Sequence, residues 1–295
     1  MENPDKIWTV LELVKWGSDY FGQKGIESPR LNIELLLCDV LSIDRIGIYT
    51  HFDQPLQKHE LDILRNYVIR RGKREPLQYI LKNVNFCGIP LLVQKGVLIP
   101  RPETEILVNE ALKRFEKQDY LVADLGTGSG CIALSIAKQC PDAKVYAYDL
   151  SEDALAVARL NAQNNSLTNI DFQQIDILKT IPENIKFNFI ISNPPYVELE
   201  EYNALQPEVK NYEPDFALTD NSDGLTFYRR YAQIFPEILS ENGTFMLEIG
   251  YGQSDKIIDI FSTTQYSIEF IKDLSGINRI AHGKKRCHSS PTLSF

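Results

Sequence analysis

Cysteine and histidine are scarce and scattered. Cys38, Cys87, Cys131, Cys140 and Cys287 form no CxxC pair, and His51, His59, His282 and His288 do not gather around them. Neither a disulfide framework nor a zinc site is therefore expected, and no metal. Long apolar runs are missing too, since none approaches the roughly 18 residues that cross a bilayer. The first residues, MENPDKIWTV, lack the apolar centre of a secretory signal, so a cytoplasmic protein with no membrane partner is expected. Positive charge is in deficit: 31 Lys+Arg stand against 40 Asp+Glu, for a net charge of -9. A protein that neutralises phosphates normally carries a basic face, so no direct nucleic-acid partner is expected. An internal repeat is also absent.

What is present suits an ordinary globular protein. Hydrophobic residues make up 43% and charged residues 24% of 295, enough for a sizeable core and long enough for two domains. Apolar residues fall at helical spacing through the first eighty positions: Val10, Leu11 and Val14; Leu35, Leu36, Val40 and Leu41; Leu61, Leu64 and Val68. Pro4, Pro29 and Pro55 punctuate them, which predicts a small helical bundle over 1–82. The positive residues in it (Arg65, Arg70, Arg71, Lys73, Arg74) read as a solvated helix face. Residues 83–99 read as a hairpin linker with its turn at Gly88-Ile89-Pro90.

From Pro100-Arg101-Pro102-Glu103-Thr104-Glu105, which has the proline and carboxylates of a helix start, the texture changes. Short apolar strands alternate with amphipathic helices through residue 281. This predicts an α/β domain, a doubly wound and mostly parallel sheet, over 100–281. The polar, aperiodic tail 282–295 is expected to be disordered.

Asp124-Leu125-Gly126-Thr127-Gly128-Ser129-Gly130 follows one strand and opens the next helix. Glycines there permit a tight turn and let backbone N–H groups approach a ligand. Asp149 ends the following strand, at the spacing where a carboxylate takes ribose hydroxyls. A glycine turn alone specifies little more than a turn. The pair specifies an adenosine-containing cofactor. The spacing is G-x-G-x-G rather than the G-x-G-x-x-G of a diphosphate site, and Asp124 would repel a diphosphate. The same carboxylate suits the cationic amino-acid end of S-adenosyl-L-methionine, the expected cofactor.

At the end of the fourth strand of the domain stands Asn193-Pro194-Pro195-Tyr196. A proline-rich turn is common in loops, but this one lies where open α/β sheets bind ligands. An amide or exocyclic amino nitrogen is a poor nucleophile because its lone pair is delocalised. The Asn193 side-chain oxygen and the Pro194 carbonyl are two acceptors for its N–H groups, Pro195 stiffens the turn, and Tyr196 offers an aromatic face. Methyl transfer to a planar nitrogen follows as the expected chemistry.

Taken in order, these motifs resemble those of the release factor glutamine N5-methyltransferases, a family of the class I S-adenosylmethionine methyltransferase fold. The match covers about 1–281. It includes Arg74 to Ile80 (REPLQYI), Val97 to Glu105, Asp124 to Gly130, Asn193 to Tyr196, Glu213-Pro214 before Ala217-Leu218, and Asp223-Gly224-Leu225. The resemblance implies that Gly126, Thr127, Gly128, Ser129 and Gly130 line the cofactor's methionine portion, Asp149 holds its ribose, and Ile177 lies near its adenine. It implies that Asn193 touches cofactor and acceptor, and that Asn193, Pro194, Pro195 and Tyr196 hold a glutamine amide. The implied partner is a class I peptide chain release factor, methylated on the glutamine of its Gly-Gly-Gln loop and engaged in part by the helical domain. Two other acceptors share the chemistry: a ribosomal-protein glutamine and, less favoured by the charge, adenine N6 of DNA or RNA. A non-catalytic binding protein would be expected to have lost one of the two turns.

Overall fold

A computed structural model describes residues 7–115 and 120–286. Its contacts divide the chain into two compact units, 1–82 with 207–212, and the remainder.

The first unit is helical: α1 (Val10–Gln23), α2 (Pro29–Leu41), α3 (Arg45–Thr50), α4 (Lys58–Gly72) and α5 (Leu77–Leu81), with the short helix Pro207–Tyr212 added from far along the chain. Thr9 caps α1 in a reciprocal box with Glu12, satisfying two otherwise orphaned donors. Val10, Leu13, Phe21, Ile33, Leu36, Leu37 and Leu64 meet in its core. The positive stretch is a solvated face only at Arg65 and Lys73, which are exposed. Arg71 is buried and donates to Asn32 Oδ1 (2.7 Å), the Glu75 carbonyl (3.1 Å) and Glu208 Oε1 (3.3 Å). Arg74 reaches the same carboxylate at 2.9 Å, and Arg70 chelates Glu75. Arg71 and Arg74 thus tie the end of α4 and the residues after it to the 207–212 segment. A cation removed from water needs such partners, and helical periodicity in the sequence carries no sign of a partner 137 residues away.

The second unit opens with the hairpin β1 (Asn83–Phe86) and β2 (Ile89–Leu92). Its turn is Cys87-Gly88, both at positive φ (49° and 73°), so Ile89 and Pro90 lie in β2 rather than in the turn. A two-residue turn of this hand matches the twist of the strands it joins. Next come α6 (Pro102–Leu112), β3 (Leu121–Leu125), α7 (Cys131–Gln139), β4 (Lys144–Asp149), α8 (Glu152–Asn164), β5 (Ile170–Gln174) and β6 (Phe187–Ser192). The short helix α9 (Leu199–Ala204) follows and, past α10 (Pro207–Tyr212), which belongs to the first unit, come α11 (Thr226–Ile238), β7 (Leu239–Glu248), α12 (Ser254–Ser262), β8 (Tyr266–Lys272) and β9 (Asn278–Lys285).

Among the described residues β3 to β9 form one sheet of order β5-β4-β3-β6-β7-β9-β8, parallel except for the antiparallel pairs that β9 makes. Both faces are covered. Phe187, Ile190, Phe245 and Leu247 pack with Tyr228, Tyr231 and Phe235 of α11. Phe189, Ile191 and Met246 pack with Leu107 and Val108 of α6 and with Ile132 and Leu134 of α7. Phe187 and Phe189 serve opposite faces although two apart, because the β6–β7 register shifts between them. β9 continues to Lys285, so His282 to Lys285, expected in a disordered tail, are paired with β7 and β8; residues 287–295 of that tail lie outside the described residues.

The chain adds β4 and β5 on one side of β3, then crosses to place β6 on the other. The switch point therefore falls between β3 and β6, and a crevice opens there at the carboxyl ends of the strands.

Candidate active site

Two turns meet at that crevice. After β3, Gly126 N and Thr127 N both donate to the carbonyl of Tyr148 at the end of β4 (2.8 and 2.9 Å). Gly126 and Gly128 sit at φ 78° and 55°, which a side chain would strain, and no atom lies within 4 Å of where their Cβ atoms would be. The backbone is thus bare toward a cavity lined by Leu125, Gly126, Gly128, Tyr148, Asp149, Leu150, Asp176, Ile177, Asn193, Pro194, Pro195, Phe227 and Tyr231, among others. Seven of the expected site residues converge on this one cavity.

The other expected residues do not line it. Thr127 is buried and donates from Oγ1 to Asp124 Oδ2 at 2.7 Å. Ser129 is buried, its carbonyl accepting from Asn161 Nδ2 (3.0 Å), and Gly130 faces Leu134 and Ala158. These three shape the turn from behind. Tyr196 is half-buried and directs its hydroxyl to Glu248 Oε1 (3.1 Å).

Two carboxylates set the electrostatics of the cofactor side. Asp124 is fully buried; burial pushes its carboxyl up to about 7, against the hydrogen bonds from Thr127 and Ala133. Its Oδ1 has no donor among the described residues, and Asp124 lies behind the glycine turn rather than in the cavity lining. Asp149 is raised by burial and held down by backbone N–H groups of Ser151 and Gly128, each 2.8 Å away. Carboxylate oxygens have a second lone pair each, so ribose hydroxyls can still be accepted.

The acceptor turn is locked by side chains. Ser192 bonds the Leu125 carbonyl (2.6 Å) and the Tyr231 hydroxyl (2.9 Å), joining the ends of β6 and β3. Asn193 Nδ2 donates to Thr104 Oγ1 (3.1 Å), whose hydroxyl donates to Glu248 Oε2 (2.7 Å). Gln253 Nε2 donates to the Tyr196 carbonyl (2.9 Å) and Gln253 Oε1 accepts from Gly250 N (2.8 Å). Gly224 passes so close that a Cβ would lie 2.2 Å from the Tyr196 carbonyl oxygen.

The PRPETE segment is absorbed into the same unit. Arg101 pairs with Glu213 at 2.5 Å, Glu213 also accepts from Ile99 N (3.1 Å), and Glu105 accepts from Cys87 N (2.8 Å). Glu248, Gln253, Phe227 and Tyr231 were not anticipated from the sequence. Glu248 did carry a signal, a lone carboxylate ending the apolar strand Phe245-Met246-Leu247, where doubly wound sheets place functional groups.

A doubly wound sheet with a bare glycine turn at one side of its switch point and an Asn-Pro-Pro-Tyr turn at the other defines a class I S-adenosylmethionine methyltransferase. Residues 102–209 match the family model described as methyltransferase small domain, and residues 12–81 the one described as PrmC N-terminal domain. The chain is 41% identical over 285 residues to a release factor glutamine methyltransferase of Geobacter sulfurreducens, covering 96% of this chain and 99% of that one. A protein of the same name from Caulobacter vibrioides is 36% identical, over 97% and 98% of the two chains. A crystal structure titled methyltransferase from Pyrococcus furiosus superposes with TM-score 0.51 at 18% identity, over 78% of this chain and 98% of that one, a likeness of fold. This chain belongs to the release factor glutamine methyltransferase family.

Proposed function

We propose that the protein transfers a methyl group from S-adenosyl-L-methionine to the side-chain amide nitrogen (N5) of the glutamine in the Gly-Gly-Gln loop of class I peptide chain release factors, in the cytoplasm, thereby tuning translation termination. The observation that carries this reading is the convergence of Gly126, Gly128 and Asp149 with Asn193 and Pro194 on one cavity, in a chain of this family.

The cofactor, when bound, supplies an electrophilic methyl group on a sulfonium. Gly126 and Gly128 would let the backbone approach it, Asp149 would take its ribose, the carboxylate of Asp124 behind the turn would favour its ammonium, and Ile177 would border its adenine. Asn193 Oδ1 and the Pro194 carbonyl accept the two N–H groups of the glutamine amide, which turns the nitrogen toward the methyl. Pro195 and Tyr196 hold that turn rigid. Positioning of this kind accounts for much of the acceleration in a two-reactant displacement. No side-chain base has to act first, because the nitrogen becomes acidic as the methyl arrives, and the site accordingly works without a histidine. The helical unit serves to engage the release factor. The acidic balance of the chain, pI about 5.1, supports a protein substrate over nucleic acid.

Radiolabelled S-adenosyl-L-methionine tests the reading with three separate acceptors: an unmethylated class I release factor, a ribosomal protein fraction and duplex DNA. Label on the release factor alone is expected. Label on a ribosomal protein or on DNA would keep the chemistry and overturn the substrate, and no label anywhere would overturn both.

A further inference from the structure

The direction of the hydrogen bonds around Asn193 carries more than its presence in the cavity. Glu248 ends β7 with 1% of its surface exposed, and its two carboxylate oxygens face hydroxyls, Tyr196 at Oε1 and Thr104 at Oε2. An ionised carboxylate can only accept, so both hydroxyls must donate to it. Thr104 has one proton to give. Once that proton points to Glu248, the oxygen turned toward Asn193 is a lone pair, and only the NH2 end of the Asn193 amide can face it. The Asn193 oxygen is thereby left for the acceptor. Reversed, the amide would present N–H groups to the N–H groups of its substrate, donor against donor.

We propose that Thr104 and Glu248 are positioning residues that orient the Asn193 amide for methyl transfer, Glu248 acting through Thr104, an inference that rests on Asn193 holding the acceptor amide. Thr104 is 1% exposed and does not line the cavity, so it works through Asn193 rather than on substrate or cofactor. Glu248 fixes the opposite end of the same turn through the Tyr196 hydroxyl, so one carboxylate holds both ends of the Asn-Pro-Pro-Tyr segment. The threonine of the PRPETE motif thus has a task that its place on the first turn of a helix does not suggest.

The orientation depends on Glu248 being ionised. Burial raises its carboxyl to about 7; the Thr104 and Tyr196 hydroxyls and the Arg279 charge favour the ionised form, and Glu103 opposes it. Protonated, Glu248 could donate to Thr104 and release the threonine proton toward Asn193, removing the constraint.

The test uses the full-length protein and the variants Thr104→Val, Thr104→Ser and Glu248→Gln, with rates counted per cofactor-binding site so that unfolded protein drops out. Thr104→Val should lower kcat toward a release factor by about 10- to 100-fold while KM and cofactor affinity stay within about twofold, and Thr104→Ser, which keeps the hydroxyl, should restore kcat. Glu248→Gln, able to donate as well as accept, should behave as Thr104→Val does. A second readout needs no substrate. The side-chain NH2 signal of Asn193 in a nitrogen-15 spectrum, identified by its loss in Asn193→Asp, should shift in Thr104→Val, stay in place in Thr104→Ser, and move in the wild type as pH falls below about 7. Wild-type kcat in Thr104→Val, or an Asn193 signal indifferent to Thr104 and to pH, would overturn the positioning role. A wild-type protein that leaves release factors unmethylated while the Asn193 signal responds as described would instead overturn the proposed substrate and leave the network standing.

Discussion

The two turns at the switch point do adjacent jobs by opposite means. The cofactor turn after β3 is built from what is missing: glycines without side chains, at backbone angles that expose N–H groups to open space. The acceptor turn after β6 is built from what is added, with two prolines and with hydrogen bonds to Thr104 and Glu248 and from Gln253 around four residues. A cofactor with many polar groups can be held by many small contacts. A single planar nitrogen that must be aimed needs few contacts, all rigid. The contrast implies that damage on the cofactor side reads out as affinity, and damage on the acceptor side as rate.

Asn193→Ala should break the contrast most severely. It removes the side-chain oxygen that accepts from the substrate amide and leaves the fold, so methyl transfer should fall by about 100-fold or more with the melting temperature preserved and cofactor affinity changed far less. Loss of affinity with turnover intact would mean that the acceptor turn is a cofactor turn.

Gly224→Ala tests the rigidity of that turn from outside. A Cβ 2.2 Å from the Tyr196 carbonyl, on a residue at φ 71°, should cost about 2 kcal/mol of stability in denaturant unfolding and slow transfer as well. A neutral result would show that the turn can give way.

Asp149→Asn addresses the other side. It weakens a charge-assisted contact to the cofactor, so cofactor affinity should fall about tenfold while kcat at saturating cofactor changes little, measured by calorimetry and by initial rates.

The smallest effect concerns pH. Asp124 is raised by burial to about 7, so the folded protein keeps a proton that the unfolded chain releases near the ordinary carboxylate range. Its contribution to stability is present at acid pH and is lost as pH rises toward 7. The melting temperature of Asp124→Asn should accordingly depend less steeply on pH between 5 and 7 than that of the wild type. An equal slope would place the Asp124 titration elsewhere.

How much of this was legible in advance differs between the same two turns. Both were visible in the sequence, because a glycine run and an Asn-Pro-Pro-Tyr run are local signals whose positions between strand and helix follow from periodicity. Their supports were not. Thr104 lies 89 residues from Asn193, and Glu248 lies 144 from Thr104. Only the sheet order brings them together. Within the cofactor turn the sequence could not say which residues face the cavity. Gly126 and Gly128 do, while Thr127 and Ser129 turn inward, a matter of backbone angles. Arg71 and Arg74 failed as a solvated face for the same reason, their partner Glu208 arriving from far along the chain. The hairpin turn was misplaced toward Pro90 because proline is a strong turn signal, whereas Cys87 at positive φ is not. His282 to Lys285 are polar and without periodicity, yet β7 and β8 pair with them; backbone ladders need no apolar side chain.

The central claim, that the acceptor turn aims a glutamine amide nitrogen at the methyl group, is tested most directly by locating the product. A class I release factor incubated with the protein and S-adenosyl-L-methionine should gain one methyl group, and fragmentation mass spectrometry should place it on the side-chain amide of the Gly-Gly-Gln glutamine, absent when Asn193→Ala is used. A methyl group on any other residue, or on that glutamine with Asn193→Ala as effective as the wild type, would contradict the account.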